Sequence, residues 1–461
     1  MIEKYFGNLV AKVRFTYTAL VEACLRETAM NRGKMKALVV FAAGWFLVAN
    51  THAQTTTAIE NVTVIDVVAG LARPDMTVVV AGNKIAAAGP ALEVATPQGA
   101  RSVDGRGKFL IPGFWDMHVH LGNATEAVLP LLISYGITGV RDMGSPSFAT
   151  LRRWRVEALT GVRVGPRIVA AGPILTEGPP YFWEMVIKGP TGGRKAVDML
   201  AEEGVDFIKI TQSLSRDTYF AVADEARKIG LPLAGHLPVS DDGIGFKVSA
   251  VDASNAGQKC LEHMHGIPFS FQKSDAELFA TLLRNGTWVD PTLTTFWARA
   301  HVHEQAANQK DPRLKHIAPA FKEFWDSQLR GFSNDELSLK ILNWRLSAIQ
   351  TLHEAGVPLL AGTDLGFAYV YPGDLARELE LFVQAGLPAL DALRTATINP
   401  ARYLNMEKEL GSVVAGKTAD LVLLGGNPLE DIRNVRLVDA VVANGRYFDR
   451  AELDAGLPNF K

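Results

Sequence analysis

Cysteine is nearly absent from this chain: only 2 occur in 461 residues, too few for the disulfide framework of a small secreted scaffold. An excess of either charge is also missing. Lys plus Arg (47) and Asp plus Glu (49) leave a net charge of −2, so neither nucleic acid nor an anionic membrane is indicated as a partner. The amino-terminal apolar run at residues 37–49 covers 13 positions, short of the roughly 20 that a spanning helix needs. What remains is a globular composition, 48% hydrophobic and 21% charged with 41 Gly and 23 Pro, which excludes disordered and collagenous classes. The length exceeds the roughly 250 to 300 residues at which single cores stop growing, so one large α/β barrel with additions, or several domains, is expected.

The apolar run follows Arg32, Lys34 and Lys36 and precedes Thr51-His52-Ala53-Gln54. A basic stretch, a short apolar core and a small-residue cleavage site read as a secretory signal peptide over residues 1–53, with an uncleaved anchor as the alternative. Met30 and Met35 stand just before the core, and either is a candidate for the true start of translation. Cleavage after Ala53 removes Cys24, leaves Cys260 alone, and leaves 408 residues with a net charge of −6. The expected location is secreted or periplasmic, with no stable membrane anchor after cleavage.

Short strands are predicted at both ends. Residues 59–66, 77–80 and 85–88 surround a Gly82-Asn83-Lys84 turn, and residues 419–424, 438–443 and 446–448 surround Asn444-Gly445. One small β-sandwich domain built from residues 54–108 and 406–461 follows. Between them, eight apolar β-type runs alternate with amphipathic helices: residues 109–120, 137–143, 167–176, 205–210, 232–237, 259–266, 287–293 and 358–364. This alternation predicts an α/β fold, a (β/α)8 TIM barrel over residues 109–405, with a doubly wound open sheet as the rival. Residues 294–339, rich in charge and aromatics, read as an insertion over one barrel face.

The chemistry falls where these strands end. Asp116-Met117-His118-Val119-His120 places two imidazoles at i and i+2, on one strand face, as a chelating pair would require. Lys209, His236, His263 and Asp364 lie at the ends of the fourth, fifth, sixth and eighth strands, which a barrel brings to one mouth. Lys209 sits in an apolar strand. It is either a barrel lysine paired with an acid, or a lysine whose burial gives a neutral amine able to add CO2.

Taken with Ile111-Pro112-Gly113-Phe114-Trp115-Asp116, Ala361-Gly362-Thr363-Asp364 and Ala396-Thr397-Ile398-Asn399-Pro400-Ala401, this ordered set resembles the binuclear branch of the amidohydrolase superfamily. The likeness is to its prolidase-like and imidazolonepropionase-like members and spans residues 59–448. The resemblance implies two divalent metal ions, zinc being the expected one. His118 and His120 would bind the more buried metal and His236 and His263 the more exposed one. A CO2-derived carbamate on Lys209 would bridge them, and Asp364 would be both metal ligand and catalytic proton shuttle. It implies hydrolysis of an amide C–N bond by a metal-bridging hydroxide, since two metals sharing a water lower its pKa. His265 is the alternative to His263, but the family's Glu-His pairing favours His263. Counting from His263, Cys260 is expected to face the helices as a small buried hydrophobe.

Four residues are candidate substrate contacts: Arg141 for a carboxylate, Tyr181 and Trp183 for an apolar pocket, and His265 at the rim. Against these stand a structural ion pair for Arg141 and an ordinary packed loop for Tyr181, Phe182 and Trp183. Some prolidase-like relatives carry a tyrosine soon after the bridging lysine. Here the text is Lys209-Ile210-Thr211-Gln212-Ser213, and Tyr219 falls in the next helix. His301, His303, His316 and His353 read as surface or helix residues. The implied partner is a small-molecule substrate, a dipeptide, N-acyl amino acid or related aromatic amide, and a homo-oligomer stays open. Cyclic amides, imides or lactones are the alternative substrates, and a catalytically silent metal-binding exported protein is the alternative class.

Overall fold

The computed structural model describes residues 56–460 except 124, 182, 242–244, 269–274, 308–309, 329–334 and 368. The expected signal peptide, Met30, Met35, Cys24 and Phe182 lie outside the described residues. Among the described residues no helix is long and apolar enough to cross a membrane.

Both chain ends contribute to one eight-stranded sheet. It contains β1 (Thr57–Asp66), β2 (Leu71–Ala81), β3 (Lys84–Pro90), β4 (Arg101–Asp104), β5 (Phe109–Pro112), β15 (Leu421–Leu424), β16 (Val438–Ala443) and β17 (Arg446–Asp449). The numbers between belong to the parallel strands below. The hinge between the ends is the antiparallel pairing of β5 with β15, Pro112 opposite Leu421 and Phe109 opposite Leu424. Where the sequence predicts a sandwich, the pairing runs through this single sheet. Period-two alternation explains its position: Val64, Leu110, Leu421 and Leu423 join one hydrophobic cluster, while their neighbours Ile65, Ile111, Val422 and Leu424 join the main core. Both faces of the sheet are therefore buried.

The middle of the chain is mixed α/β. β6 (Phe114–Val119), β7 (Ile137–Asp142) and β8 (Arg167–Ala170) form one parallel sheet. β9 (Ile174–Thr176), β10 (Glu184–Val186), β11 (Ile208–Ile210), β12 (Leu233–Gly235), β13 (Gln258–Glu262) and β14 (Trp288–Asp290) form another. No strand ladder joins β8 to β11 among the described residues; the link is Asp206 N–H donating to Ala170 O at 2.9 Å. Amphipathic helices Phe148–Leu159, Gly189–Glu203, Arg216–Ile229, Ala276–Asn285 and Leu375–Gln384 fall close to where apolar periodicity predicts them.

Three predicted strands break, each for a local reason. The run 109–120 divides at Gly113 into β5 and β6, because the Gly113 N–H turns aside to Asp420 O and a Cβ there would lie 2.1 Å from Thr138 Oγ1. The run 167–176 divides around Gly172, whose φ is +70°. Residues 358–364 make only isolated bridges, Val289 with Leu359 and Val119 with Leu365, yet Met117 N–H reaches Ala361 O at 2.9 Å and Leu360 N–H reaches Val289 O at 3.0 Å. That extended segment lies between β14 and β6.

Gly139 on β7 is registered opposite Trp115 on β6, and a Cβ at Gly139 would sit 2.1 Å from the buried indole. Gly139→Ala is expected to destabilise the protein by about 1–3 kcal/mol through overpacking, read by thermal or chemical unfolding. Adding Trp115→Leu should recover part of the loss. An additive double variant would show that the indole is not the cause.

Candidate metal centre

The ends of β6, β11, β12 and β13 and the segment 358–365 bring together His118, His120, Lys209, His236, His263 and Asp364. All but His236 fall among the most buried polar side chains of the protein. The rings of His118 and His263 lie 4.6 Å apart between centroids, His236 and His263 4.9 Å, and His118 and His120 5.5 Å. His265 joins them, 4.8 Å from the His236 ring.

Three of these imidazoles have one nitrogen committed. His118 Nδ1 donates to Glu262 Oε2 at 2.8 Å, and His120 Nδ1 faces Gly144 O at 3.3 Å. His263 Nδ1 meets Thr292 Oγ1 at 2.7 Å, and that hydroxyl spends its own hydrogen on Pro291 O. Each ring is thereby fixed in the tautomer whose Nε2 carries a lone pair. His118 Nε2 and His120 Nε2 then point at the same oxygen, Asp364 Oδ1, from 3.5 and 3.4 Å. His118 Nε2, His236 Nδ1 and Asp364 Oδ1 are buried without a hydrogen-bond partner among the described residues. Lone pairs and an anionic oxygen converging in this way fit a divalent cation of the nitrogen- and oxygen-binding kind. Donor atoms of His118, His263 and Asp364 all fall within 4.8 Å of one another.

Electrostatics agree with that use. Burial pushes the His118 imidazole down to about 4, and burial followed by the charge of Lys209 or neighbouring histidines pushes His236 and His263 well below the ordinary value. Burial also lowers the Lys209 ammonium, against the pull of Glu262 and Asp364. The Asp364 carboxyl, which burial alone would raise, is drawn below its usual range by His120 and His118. His118, His236 and His263 are thus neutral and the Asp364 carboxylate charged at neutral pH, the states in which such groups bind metal.

Backbone strain is concentrated here. His263, Met264, Thr292 and Asp364 hold φ of +55°, +56°, +48° and +63°, a conformation costing about 1–2 kcal/mol for each such residue. Hydrogen bonds hold two of them in place: His263 N–H to Asp290 O and Asp364 N–H to His118 O, both 2.8 Å. Beneath the ring pair, Gly362 leaves no room for a side chain, since a Cβ would approach Asp290 Oδ2 and His118 Cβ to 2.5 Å.

The sequence-predicted substrate contacts separate. Arg141 is fully buried under the centre: Nε donates to Met117 O, and NH1 donates to Tyr403 OH at 2.9 Å. NH2 donates to both Glu262 oxygens at 2.9 and 3.0 Å and approaches Asp290 Oδ2 at 3.3 Å. This is the ion-pair alternative. Burial would raise the Glu262 carboxyl, but Arg141 and the His118 hydrogen bond hold it down to about 2. Trp183 is buried with its ring 6.0 Å from that of His120, and exposed Tyr181 stacks on it at 5.1 Å. Tyr219 donates to Gln258 Oε1 and stays away from the metal ligands. Cys260 does not face the helices: its Sγ lies 3.8 Å from Arg141 NH2. Parity counted back from His263 fails because the strand ends at Glu262 and His263 turns left-handed.

Residues that sequence reasoning passed over complete the site. Asp116 accepts from Thr363 N–H at 3.0 Å and Thr363 Oγ1–H at 2.6 Å, tying the first ligand strand to the last. Thr292, Phe296 and Phe367 border the rings, with Phe296 6.4 Å from His263 and Phe367 5.6 Å from His120. Only Asp116 carried a signal, its place two residues before His118. His301 stacks on Trp297 at 4.4 Å, and His316 and His353 find partners elsewhere.

Comparison with known proteins returns one family. The profile of the amidohydrolase family matches residues 109–447. A candidate prolidase from Bifidobacterium longum is similar in structure with a TM-score of 0.70 and 26% identity, covering 88% of this chain and 98% of that one. A prolidase solved with N-methylphosphonate-L-proline has a TM-score of 0.67 and 25% identity, covering 86% and 100%. Ochratoxinase of Aspergillus niger is 22% identical over 377 residues, 70% of this chain and 72% of the relative.

Burial pushes His265 down to about 3, so in chelator-treated protein its unfolded form takes up a proton from about pH 6.5 downward while the folded form does not. Its contribution is thus intact above that pH and is lost as the pH falls toward 3. His265→Gln should therefore lose less stability than the parent between pH 7 and 4. Asp116 and Asp142, raised by burial to about 7 and 6, act in the opposite direction in both proteins and cancel in the difference. Parallel unfolding profiles for parent and variant would rule the shift out.

Proposed function

The chain belongs to the amidohydrolase family and is a hydrolase of amide carbon–nitrogen bonds, and from that premise we propose an exported, metal-dependent enzyme. Its substrate is a dipeptide, an N-acyl amino acid or a related aromatic amide. The support for this class is the company it keeps: structures similar in fold include a Xaa-Pro dipeptidase and bottromycin amidohydrolase, and curated relatives include ochratoxinase. The observation that carries the reading is the trio His118, His120 and His263, each held by Nδ1, with His118 and His120 presenting Nε2 to one oxygen of Asp364. We further read the parallel strands and residues 358–365 as one closed (β/α)8 barrel over residues 109–405, carried on a β domain from residues 54–108 and 406–461.

His118, His120 and Asp364 would hold one divalent ion and His236 and His263 a second, zinc being the expected metal, with Lys209 carboxylated by CO2 as the shared anionic donor. Such ions, when bound, acidify a water molecule and polarise the scissile carbonyl. Asp364, ionised at neutral pH, takes the proton of the attacking water on a carboxylate oxygen. It delivers that proton to the departing nitrogen, so the C–N bond breaks to a carboxylic acid and an amine instead of an amide anion. Glu262, itself held by Arg141, keeps the His118 ring in one orientation, and neither residue reaches the substrate. Trp183 and Phe367, packed edge to face at 6.4 Å, wall the His120 side against bulk water.

The purified protein should contain about two divalent ions per chain and turn over at least one member of a panel of N-acyl amino acids, dipeptides, cyclic imides and lactones. Lys209→Ala should lose metal and turnover together, and full activity without added carboxylate would reject the bridging role. Retained metal with no turnover of any compound would favour a silent metal-binding protein. Amino-terminal sequencing of the exported protein should begin at Gln54, and a start well upstream would remove the cleavage reading.

A further inference from the structure

Two arginines from different helices meet at the rim of the metal centre. Arg299 lies on the helix Leu293–Ala300 and Arg345 on the helix Asp335–Glu354. Both guanidiniums cover the Phe296 ring, Arg345 at 3.4 Å and Arg299 at 5.2 Å from its centroid. Arg299 also reaches within 6.0 Å of the Phe367 ring. Phe296 neighbours His263 and Phe367 neighbours His120, so Arg299 contacts rings that border both sides of the histidine cluster.

Arg345 is only 6% exposed. Its NH1 donates to the main-chain oxygen of His263, its Nε is buried with no hydrogen-bond partner, and among the described residues it forms no ion pair with a carboxylate. Burial lowers its guanidinium first, and the charge of Arg299 lowers it further. Glu378, the nearest acid by charge, spends both oxygens on the N–H groups of Leu293 and Thr294. A buried guanidinium with an unfilled donor, as in Arg345, and a second cation beside it is costly unless an anion comes to it. Asp364 and Tyr181 are the acids whose charge acts on Arg299, against the larger effect of burial.

We propose that Arg299 and Arg345 form an anion subsite that takes the free carboxylate of the substrate, making the enzyme selective for N-acyl amino acids and dipeptides over neutral amides. A planar guanidinium matches a carboxylate bidentately, and Phe296 supplies an apolar seat for the carbon next to it. The role first considered for Arg141, whose donors are taken up beneath the centre, passes to this pair. The inference rests on the amide-hydrolase reading for the identity of the carboxylate but not for the existence of the subsite.

The test uses the metal-loaded full chain and two matched pairs of compounds. Calorimetry compares 3-phenylpropanoate with 3-phenylpropan-1-ol, neither of which can be hydrolysed. Kinetics compare N-acetyl-L-phenylalanine with N-(2-phenylethyl)acetamide. The parent should prefer the carboxylate in both pairs, by about 10- to 100-fold in Kd or KM. Arg299→Leu should abolish that preference, read as loss of the difference in Kd and in KM between the paired compounds, and Arg299→Lys should restore part of it. Arg345→Leu should do the same if its unfolding curve shows it folded; Arg299→Leu carries the test if it does not. A carboxylate preference that survives Arg299→Leu unchanged would mean that the metals bind the carboxylate, and would overturn the subsite. Arginine-dependent binding without turnover of either amide would sink the amide reading and leave the subsite standing. Equal KM for the two amides, with equal binding of acid and alcohol, would do the reverse.

Discussion

The buried ion pair between Arg141 and Glu262 is the interaction on which the centre depends. Through it one guanidinium joins β6, β7, β13 and β14, taking up Met117 O, Glu262, Asp290 and the Tyr403 hydroxyl. Such a pair contributes little net stability, because desolvation offsets the attraction, but removing either member strands a charge in the core. Its value lies in position. Glu262 is kept ionised by Arg141, and an ionised carboxylate is the acceptor that fixes His118 with Nδ1–H inward and Nε2 toward the metal side. Asp116 plays the parallel part from β6 itself, accepting from the His118 N–H and from the 363 backbone and hydroxyl. His118 is thus aligned by two carboxylates that never approach a substrate.

Much of this was legible in the residues. Period-two runs of apolar residues marked most strands, and His118, His120, Lys209, His236, His263 and Asp364 stood at their ends because a parallel sheet exposes catalytic groups there. What stayed hidden depended on conformation. Nothing in 109–120 shows that Gly113 turns the chain from one sheet into another, since only the closeness of Thr138 demands a residue without a side chain. Arg141 reads equally well as a substrate clamp or a structural cation until its partners 119 to 262 residues away are in place. Arg299 and Arg345 lie in a segment whose helical texture resembles any charged surface.

Left-handed residues at the strand ends explain the remaining departures. A strand that ran on through His263 would put Cys260 and His263 on opposite faces in the expected order. Instead the chain leaves the sheet at Glu262, and His263, Met264, Thr292 and Asp364 each adopt positive φ. This brings side chains to the centre that regular pleating would send elsewhere. The strain is sustained by hydrogen bonds from neighbouring ligand segments, so the geometry of one ligand is set partly by the backbone of another.

The passage at Gly113 makes the terminal sheet a mount for the candidate metal centre. β5 ends and β6 begins on either side of a single residue, leaving no slack between the strand held by β15 and the strand that carries His118 and leads to His120. Cutting the chain ahead of β15 would strip β5 of its antiparallel partner and uncover Leu110 and Ile111 on both faces at once. The residues before β15 are therefore not a self-sufficient unit, and a cut or permutation there acts on the strand that carries His118.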